Sequence, residues 1–135
     1  MRKHLLLVAS LLTLSPLAIA KSIDISGNYT CKGLDPFSNT TYQGSLAVKK
    51  TNDTFQFNWD LGKSGKYKGT GFYMDGIQDV IPVTVISLNK KHDPQNPSNA
   101  ELQIYNIGAD GSLRGSWTFL GKDKLSPAET CIKAS

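Results

Sequence analysis

Few residues in this 135-residue sequence have the types and spacing that catalysis requires. Outside residues 1–20 the single histidine is His92, which stands between Lys91 and Asp93 in a polar stretch. A Ser-His-Asp arrangement would need a distant serine packed beside that histidine, and no nucleophile elbow is present in the sequence. We interpret His92 as a solvated loop residue, and we expect no catalytic residue and no enzyme activity.

Metal ligands and paired carboxylates give an equally weak signal. A zinc site takes three or four His, Cys or carboxylate ligands, and the only two cysteines are better explained by a bond to each other. Glycosidases need two carboxylates about 5–10 Å apart, a proximity that sequence spacing does not indicate. We therefore expect no metal site and no cofactor, and we interpret the acids near predicted strands and turns as surface residues. These acids are Asp60, Asp75, Asp79 and Glu101.

Aromatic side chains at a spacing of two give the strongest functional indication. Phe57 and Trp59 alternate with polar residues in one segment, and Trp117 lies in a similar segment further along. On the inner face of a barrel such rings would form an apolar cavity with a few polar groups. The alternative is that the same rings fill the barrel completely. The predicted ligand-binding residues are Phe57, Trp59, Tyr67, Tyr105 and Trp117.

These residues lie on eight predicted β-strands, and no segment has the periodicity of a helix. Apolar and polar residues alternate most clearly over 54–61 and 112–120, which is typical of half-buried strands. Turn-forming pairs such as Asp110-Gly111 fall between the segments. The predicted strands are 25–32, 42–50, 54–61, 66–74, 80–88, 101–107, 112–120 and 128–132.

The order of the strands and the position of the cysteines favour a closed barrel. A meander of eight strands can hide its edges by closing into an up-and-down barrel or by folding into a sandwich. Cys31 and Cys131 lie in the first and last strands, which are neighbours in a closed barrel. A disulfide closing a loop of about 100 residues would stabilise the fold by roughly 4–5 kcal/mol. Free thiols or an intermolecular pair are the alternatives.

We therefore predict one all-β domain over residues 21–135. Its fold is an eight-stranded, antiparallel, up-and-down barrel closed by one disulfide. Residues 1–20 have the pattern of a secretory signal peptide, because a basic start precedes an apolar run over 5–14 and Ala18-Ile19-Ala20 follows it. That run is about half the length that a helix needs to cross a bilayer. We expect a periplasmic or secreted chain with no membrane span after processing.

The charge of the processed chain argues against nucleic acid as a partner. Removing residues 1–20 leaves 13 basic and 11 acidic residues, a net charge of +2. Nucleic-acid binders concentrate Arg and Lys on one face, whereas Arg114 is the single arginine left here and acids lie near the lysines.

Three short patterns are distributed over most of the processed chain, residues 21–135. They are Gly27-Asn28-Tyr29-Thr30-Cys31-Lys32-Gly33-Leu34-Asp35-Pro36, then Asp110-Gly111-Ser112-Leu113-x-Gly115-x-Trp117, and finally Glu129-Thr130-Cys131-Ile132-Lys133. They resemble a group of small exported bacterial proteins of the Legionella type. The resemblance implies export, and it brings no activity and no site residue with it. Gly27-x-Tyr29 is also similar to the Gly-x-Trp of calycins, the lipocalins and avidins, which implies a calycin-like barrel.

Two functional hypotheses follow from these patterns. In the first, a non-enzymatic exported barrel binds a small apolar or amphipathic ligand in its interior. In the second, a filled barrel is a protein-interaction module, an inhibitor or adhesion-type factor whose loops, such as 89–100, contact a host or periplasmic protein. An open, aromatic-lined interior would favour the first hypothesis, and a packed interior would favour the second.

Overall fold

The alternating segments form eight β-strands in the computed structural model, which describes residues 23–74, 79–87, 100–127 and 129–135. All eight predicted strands are confirmed, although the observed ends of the strands differ from the predicted ends by a few residues. Within the described ranges, no helix is long and apolar enough to cross a membrane. The strands are β1 (Gly27–Asp35), β2 (Thr40–Thr51), β3 (Thr54–Asp60), β4 (Lys66–Gly71), β5 (Val80–Ser87), β6 (Ala100–Ile107), β7 (Leu113–Phe119) and β8 (Glu129–Lys133).

Each strand pairs antiparallel with the next, and β8 pairs with β1, so the sheet closes into a barrel. The prediction of a closed up-and-down barrel is confirmed. Cys31 and Cys131 stand directly opposite each other in the β1–β8 pairing and form a disulfide. The bridge therefore lies on the seam where the barrel closes. The predicted signal peptide falls outside the described residues.

Alternation along each strand decides which side chains fill the barrel. Along β3, Phe55, Phe57 and Trp59 point inward and are buried, as period two requires. β6 has an unusual distribution, since the polar residues Glu101 and Gln103 face inward while Leu102 and Ile104 are 47% and 54% exposed on the outer surface. A strand of this kind positions polar groups inside the barrel at the expense of apolar burial.

The end of the barrel where β1 begins is filled by side chains. Ile25 lies just before β1 and is buried, and the Tyr29 hydroxyl donates a hydrogen bond to its carbonyl oxygen at 2.7 Å. Phe55 packs edge-on against Tyr73 with ring centroids 5.4 Å apart. Leu113 is also buried in this cluster. The interior cavity described below lies toward the opposite end of the barrel.

Candidate functional site

A cavity of about 300 Å³ occupies the end of the barrel where β1, β3 and β7 finish. Its walls are aromatic, and its interior surface includes carboxylate and amide groups. The strand ends position these groups, because β2, β4, β6 and β8 all begin at this end and each contributes a residue near its start. The aromatic residues that line it are Tyr42, Trp59, Tyr67 and Trp117, and the buried polar residues are Glu101, Gln103 and Glu129.

The structure separates the five predicted ligand-binding residues into two groups. Trp59, Tyr67 and Trp117 line the cavity. Phe57 and Tyr105 are fully buried beneath it, where the Phe57 ring stacks on Trp59 at 5.5 Å and on Tyr105 at 6.0 Å. Phe57 and Tyr105 therefore support the aromatic wall and belong to the packed core, one inward position deeper than the cavity.

Glycines opposite these rings leave the space that the rings occupy. Gly33 pairs with Tyr42 across β1 and β2, and a Cβ at Gly33 would lie 2.2 Å from the Tyr42 hydroxyl oxygen. A Cβ at Gly69 would lie 3.1 Å from Cζ3 of Trp59. Both distances are shorter than ordinary van der Waals contact, so larger residues at these glycines would displace the aromatic wall.

Glu129 is the centre of a buried hydrogen-bond network. It is the first residue of β8 and is 3% exposed. Its Oε2 accepts a hydrogen bond from the Tyr42 hydroxyl at 2.8 Å. Its Oε1 accepts hydrogen bonds from Gln103 Nε2 at 2.9 Å and from the Tyr105 hydroxyl. All three donors are neutral, so they satisfy the oxygens without cancelling the negative charge.

Both tryptophans extend this network through their indole N–H groups. Trp117 Nε1 donates to the Tyr42 hydroxyl at 2.8 Å. The Trp59 side chain is hydrogen-bonded to the Tyr105 hydroxyl, and an indole has no other polar group than its donor. Each indole therefore donates to a tyrosine, and each tyrosine donates to one oxygen of Glu129. This network fixes the orientation of the aromatic wall.

The electrostatics of the cavity keep its tyrosines neutral. Burial, together with the negative charge of Glu129, raises the pKa of Tyr42 and of Tyr105 well above the ordinary value of 10.0. Burial, followed by the charge of Glu101, raises the pKa of Tyr67 to about 12. These hydroxyl groups therefore remain hydrogen-bond donors over the whole physiological pH range.

Glu101 overturns one prediction from the sequence. We expected it on the surface, but it is 7% exposed and lines the cavity. The expectation was wrong because β6 turns its odd-numbered residues inward in the register of the closed barrel. Glu101 and Glu129 are the only glutamates in the sequence, and both face this cavity.

The other acids agree with the surface interpretation where they are described. Asp60 is exposed on β3 and forms an ion pair with Lys66 at 2.9 Å. Asp79 is exposed. Asp75 and His92 lie outside the described residues.

Sequence reasoning missed Tyr42, Gln103 and Glu129, although part of the signal was present. Period two places Gln103 on the same face as Tyr105, which we predicted to point inward. The same rule places Glu129 on the face of Cys131. Neither polar residue was considered, because sequence alone gave no reason to place an amide or a carboxylate inside an aromatic barrel.

A cluster of Cys31, Glu129 and Cys131 has ligand atoms within 4.8 Å of one another. The two sulfur atoms are bonded to each other, and a disulfide offers no thiolate to a metal. We therefore interpret this cluster as the disulfide at the β1–β8 seam with the Glu129 carboxylate beside it.

The mouth of the cavity is bordered by the turn between β1 and β2. Asp35 Oδ1 accepts a hydrogen bond from the Phe37 backbone N–H at 2.8 Å, and the Ser38 hydroxyl donates to Asp35 Oδ2 at 2.7 Å. The Phe37 ring packs 6.2 Å from Trp117, centroid to centroid. Lys63, which is exposed on the 3₁₀ turn Gly62–Ser64, borders the same mouth.

No protein-family model matches the chain, and no curated protein matches it. The geometry of the cavity is therefore the basis for a functional proposal.

Proposed function

We propose that this protein is an exported, non-enzymatic barrel that binds a small amphipathic molecule in the cavity at its open end. The observation that carries this proposal is the cavity of about 300 Å³ in a barrel whose other end is filled. Its volume lies at the lower limit of the range for small-molecule sites, roughly 300–1,000 Å³. Aromatic walls with a few polar groups are the usual composition of such sites.

The buried network around Glu129 supports a binding role. Burying a carboxylate costs several kcal/mol even when it is hydrogen-bonded, and an apolar core of similar volume would be at least as stable. Stability alone therefore does not explain why this barrel places Glu101, Gln103 and Glu129 inside. A binding site does explain it, since polar groups at fixed positions orient a ligand.

The same network supports a non-enzymatic role. Both oxygens of Glu129 accept hydrogen bonds from protein donors. A general acid or base needs a free path for its proton to the substrate. Glu129 is arranged instead to hold Tyr42 and Tyr105, and through them the two indoles.

Export is supported by two features. The pattern of residues 1–20 is typical of a signal peptide. Disulfides persist in oxidising compartments, such as the periplasm and the extracellular space, and one closes this barrel. We propose a periplasmic or secreted location on this basis, in agreement with the resemblance to small exported bacterial proteins.

Tryptophan fluorescence tests the binding proposal directly. Trp59 and Trp117 are the only tryptophans in the sequence, and both line the cavity. We expect at least one member of a panel of amphipathic amines, fatty acids and phenolics to change the emission saturably with one molecule bound per chain. Tyr67→Ala, in the cavity wall, should change the dissociation constant, whereas Leu102→Ala on the outer face should not.

A panel with no saturable response would contradict the proposal. It would favour the second hypothesis, a protein-interaction module acting through its loops. The segment 89–100 named for that role lies outside the described residues except for Ala100, the first residue of β6.

A further inference from the structure

The cavity is shallow, because buried rings close it after one or two inward positions of its wall strands. On β6, Glu101 and Gln103 line the cavity, and the next inward residue, Tyr105, is fully buried beneath them. On β3, Trp59 lines the cavity, and Phe57 is fully buried beneath it. Successive inward residues of one strand are only about 7 Å apart. Phe57 and Tyr105 therefore form a floor close to the mouth of the barrel.

Below this floor the interior of the barrel is packed. Phe55, the next inward residue of β3, is buried and packs edge-on against Tyr73. Ile25 and Tyr29 fill the same end, where the Tyr29 hydroxyl donates a hydrogen bond to the Ile25 carbonyl oxygen. These side chains close the cavity at its inner end. A long alkyl chain that enters the mouth therefore has no space to extend along the barrel axis past the floor.

Near-parallel rings connect this floor to the cavity wall. The Phe57 ring stacks on Tyr105 with an angle of 15° between the ring planes, and on Trp59 with an angle of 17°. Trp59 is the member of this stack that lines the cavity, together with Tyr67 and Trp117. Both indole N–H groups are hydrogen-bonded to tyrosines, so a ligand meets ring carbon atoms on this wall. Contacts between aromatic rings stabilise a pair by more than the burial of their area alone.

We propose that the ligand is a compact aromatic compound, a single planar ring with a short polar substituent. This inference rests on the proposed function and names the class of ligand that the cavity selects. The ring packs against Trp59, Tyr67 and Trp117, and the substituent lies toward the mouth, where Ser38 and Thr40 line the cavity. An extended alkyl chain is disfavoured, because the floor leaves much of its length in water and binding restricts its rotatable bonds.

Three neutral primary alcohols with the same number of carbon atoms test this inference. They are phenethyl alcohol, cyclohexylethanol and n-octanol, which carry an aromatic ring, a saturated ring and a linear chain. Isothermal titration calorimetry of the full chain measures each dissociation constant. Hydrophobicity alone would favour the two saturated alcohols, which are less soluble in water. We expect phenethyl alcohol to bind at least about threefold more tightly than either of them, since only its ring stacks on the aromatic wall.

Variants of the floor assign this selectivity to the depth of the cavity. Phe57→Leu replaces the ring beneath Trp59 with a smaller side chain and should admit more of a linear chain. We expect the variant to bind n-octanol more tightly by about fourfold for each methylene that is newly buried. Phe55→Leu is the matched control, because Phe55 is buried on the same strand but lies in the filled end. It should leave the affinity for n-octanol unchanged.

Each result decides between distinct outcomes. If either saturated alcohol binds more tightly than phenethyl alcohol, the inference is overturned while small-molecule binding stands. If Phe57→Leu and Phe55→Leu change the affinity for n-octanol equally, the floor does not set the selectivity and the inference is again overturned. If Phe57→Leu does not fold, the ranking of the three alcohols on the wild-type protein carries the test. If none of the alcohols binds at millimolar concentration, and the wider fluorescence panel is also silent, the proposed function itself fails.

Discussion

Replacing Glu129 with glutamine should destabilise the barrel, although the substitution only replaces one buried carboxylate oxygen with an N–H₂ group. Glu129 accepts three hydrogen bonds, from Tyr42, Tyr105 and Gln103. With its amide oxygen toward Tyr105 and Gln103, the variant directs its own N–H₂ group at Tyr42. The Tyr42 hydroxyl already accepts a hydrogen bond from Trp117. Its own proton, which is donated to Glu129 in the wild type, therefore has no acceptor in the variant.

The size of the effect follows from these contacts. An unpaired buried donor costs about 1–3 kcal/mol, and the two remaining hydrogen bonds lose about 1 kcal/mol each when their acceptor is no longer charged. Removing a buried charge offsets part of this loss. We expect a net decrease of about 2 kcal/mol in the free energy of unfolding, measured by urea denaturation with tryptophan fluorescence. Asp60→Asn on the outer face should leave the midpoint nearly unchanged.

A double-mutant cycle shows whether the network is the cause. In the wild-type background Tyr42→Phe removes a donor to Glu129 and leaves the Trp117 indole without its acceptor. In the Glu129→Gln background the first of these losses has already occurred, so the two changes should be non-additive by about 1 kcal/mol or more. Additivity within about 0.5 kcal/mol, with unchanged m-values, would refute a shared network between Tyr42 and Glu129.

The remaining predictions concern the seam, the tyrosines and the core. Reducing the Cys31–Cys131 disulfide, which spans 100 residues, should lower the free energy of unfolding by roughly 4–5 kcal/mol in urea titrations; equal midpoints with and without reductant would contradict this. Burial raises the pKa of Tyr29 and Tyr67 to about 12 in the folded protein from 10.0, so the unfolded chain releases these protons first as pH rises. Stability should therefore be complete below about pH 10 and fall between pH 10 and 12, and urea midpoints that stay level across this window would oppose the assignment. Phe57→Ala should cost about 3–5 kcal/mol, because Phe57 is fully buried, whereas Tyr67→Phe should change stability much less; calorimetry of both variants is the check, and similar losses would contradict a division between core and cavity wall.

The barrel could be predicted because its signals are local or lie at the chain ends. Alternation over 54–61 identifies a strand without reference to any other part of the chain. The main long-range indication of closure was the position of Cys31 and Cys131 in the first and last strands, because a disulfide between them brings those strands together.

The depth of each inward residue could not be predicted in the same way. Phe57 and Trp59 share a face and a spacing of two, and both are buried, yet Trp59 borders the cavity and Phe57 does not. Their different depths in the barrel depend on the register between strands and on the side chains of Ile25 and Tyr29, which fill the opposite end. The Glu129 network likewise joins β2, β6 and β8, and only the closed barrel brings these strands' side chains together.

The central claim is that a ligand binds in the cavity. The NMR signals of the two indole N–H groups test this claim most directly. In a ¹H–¹⁵N NMR titration with a ligand selected from the fluorescence panel, Trp59→Phe and Trp117→Phe assign the two indole signals. We predict that both signals shift with one dissociation constant, while the backbone amides of Leu102 and Ile104 on the outer face stay in place. Indole signals that remain fixed while those outer amides shift would contradict the account.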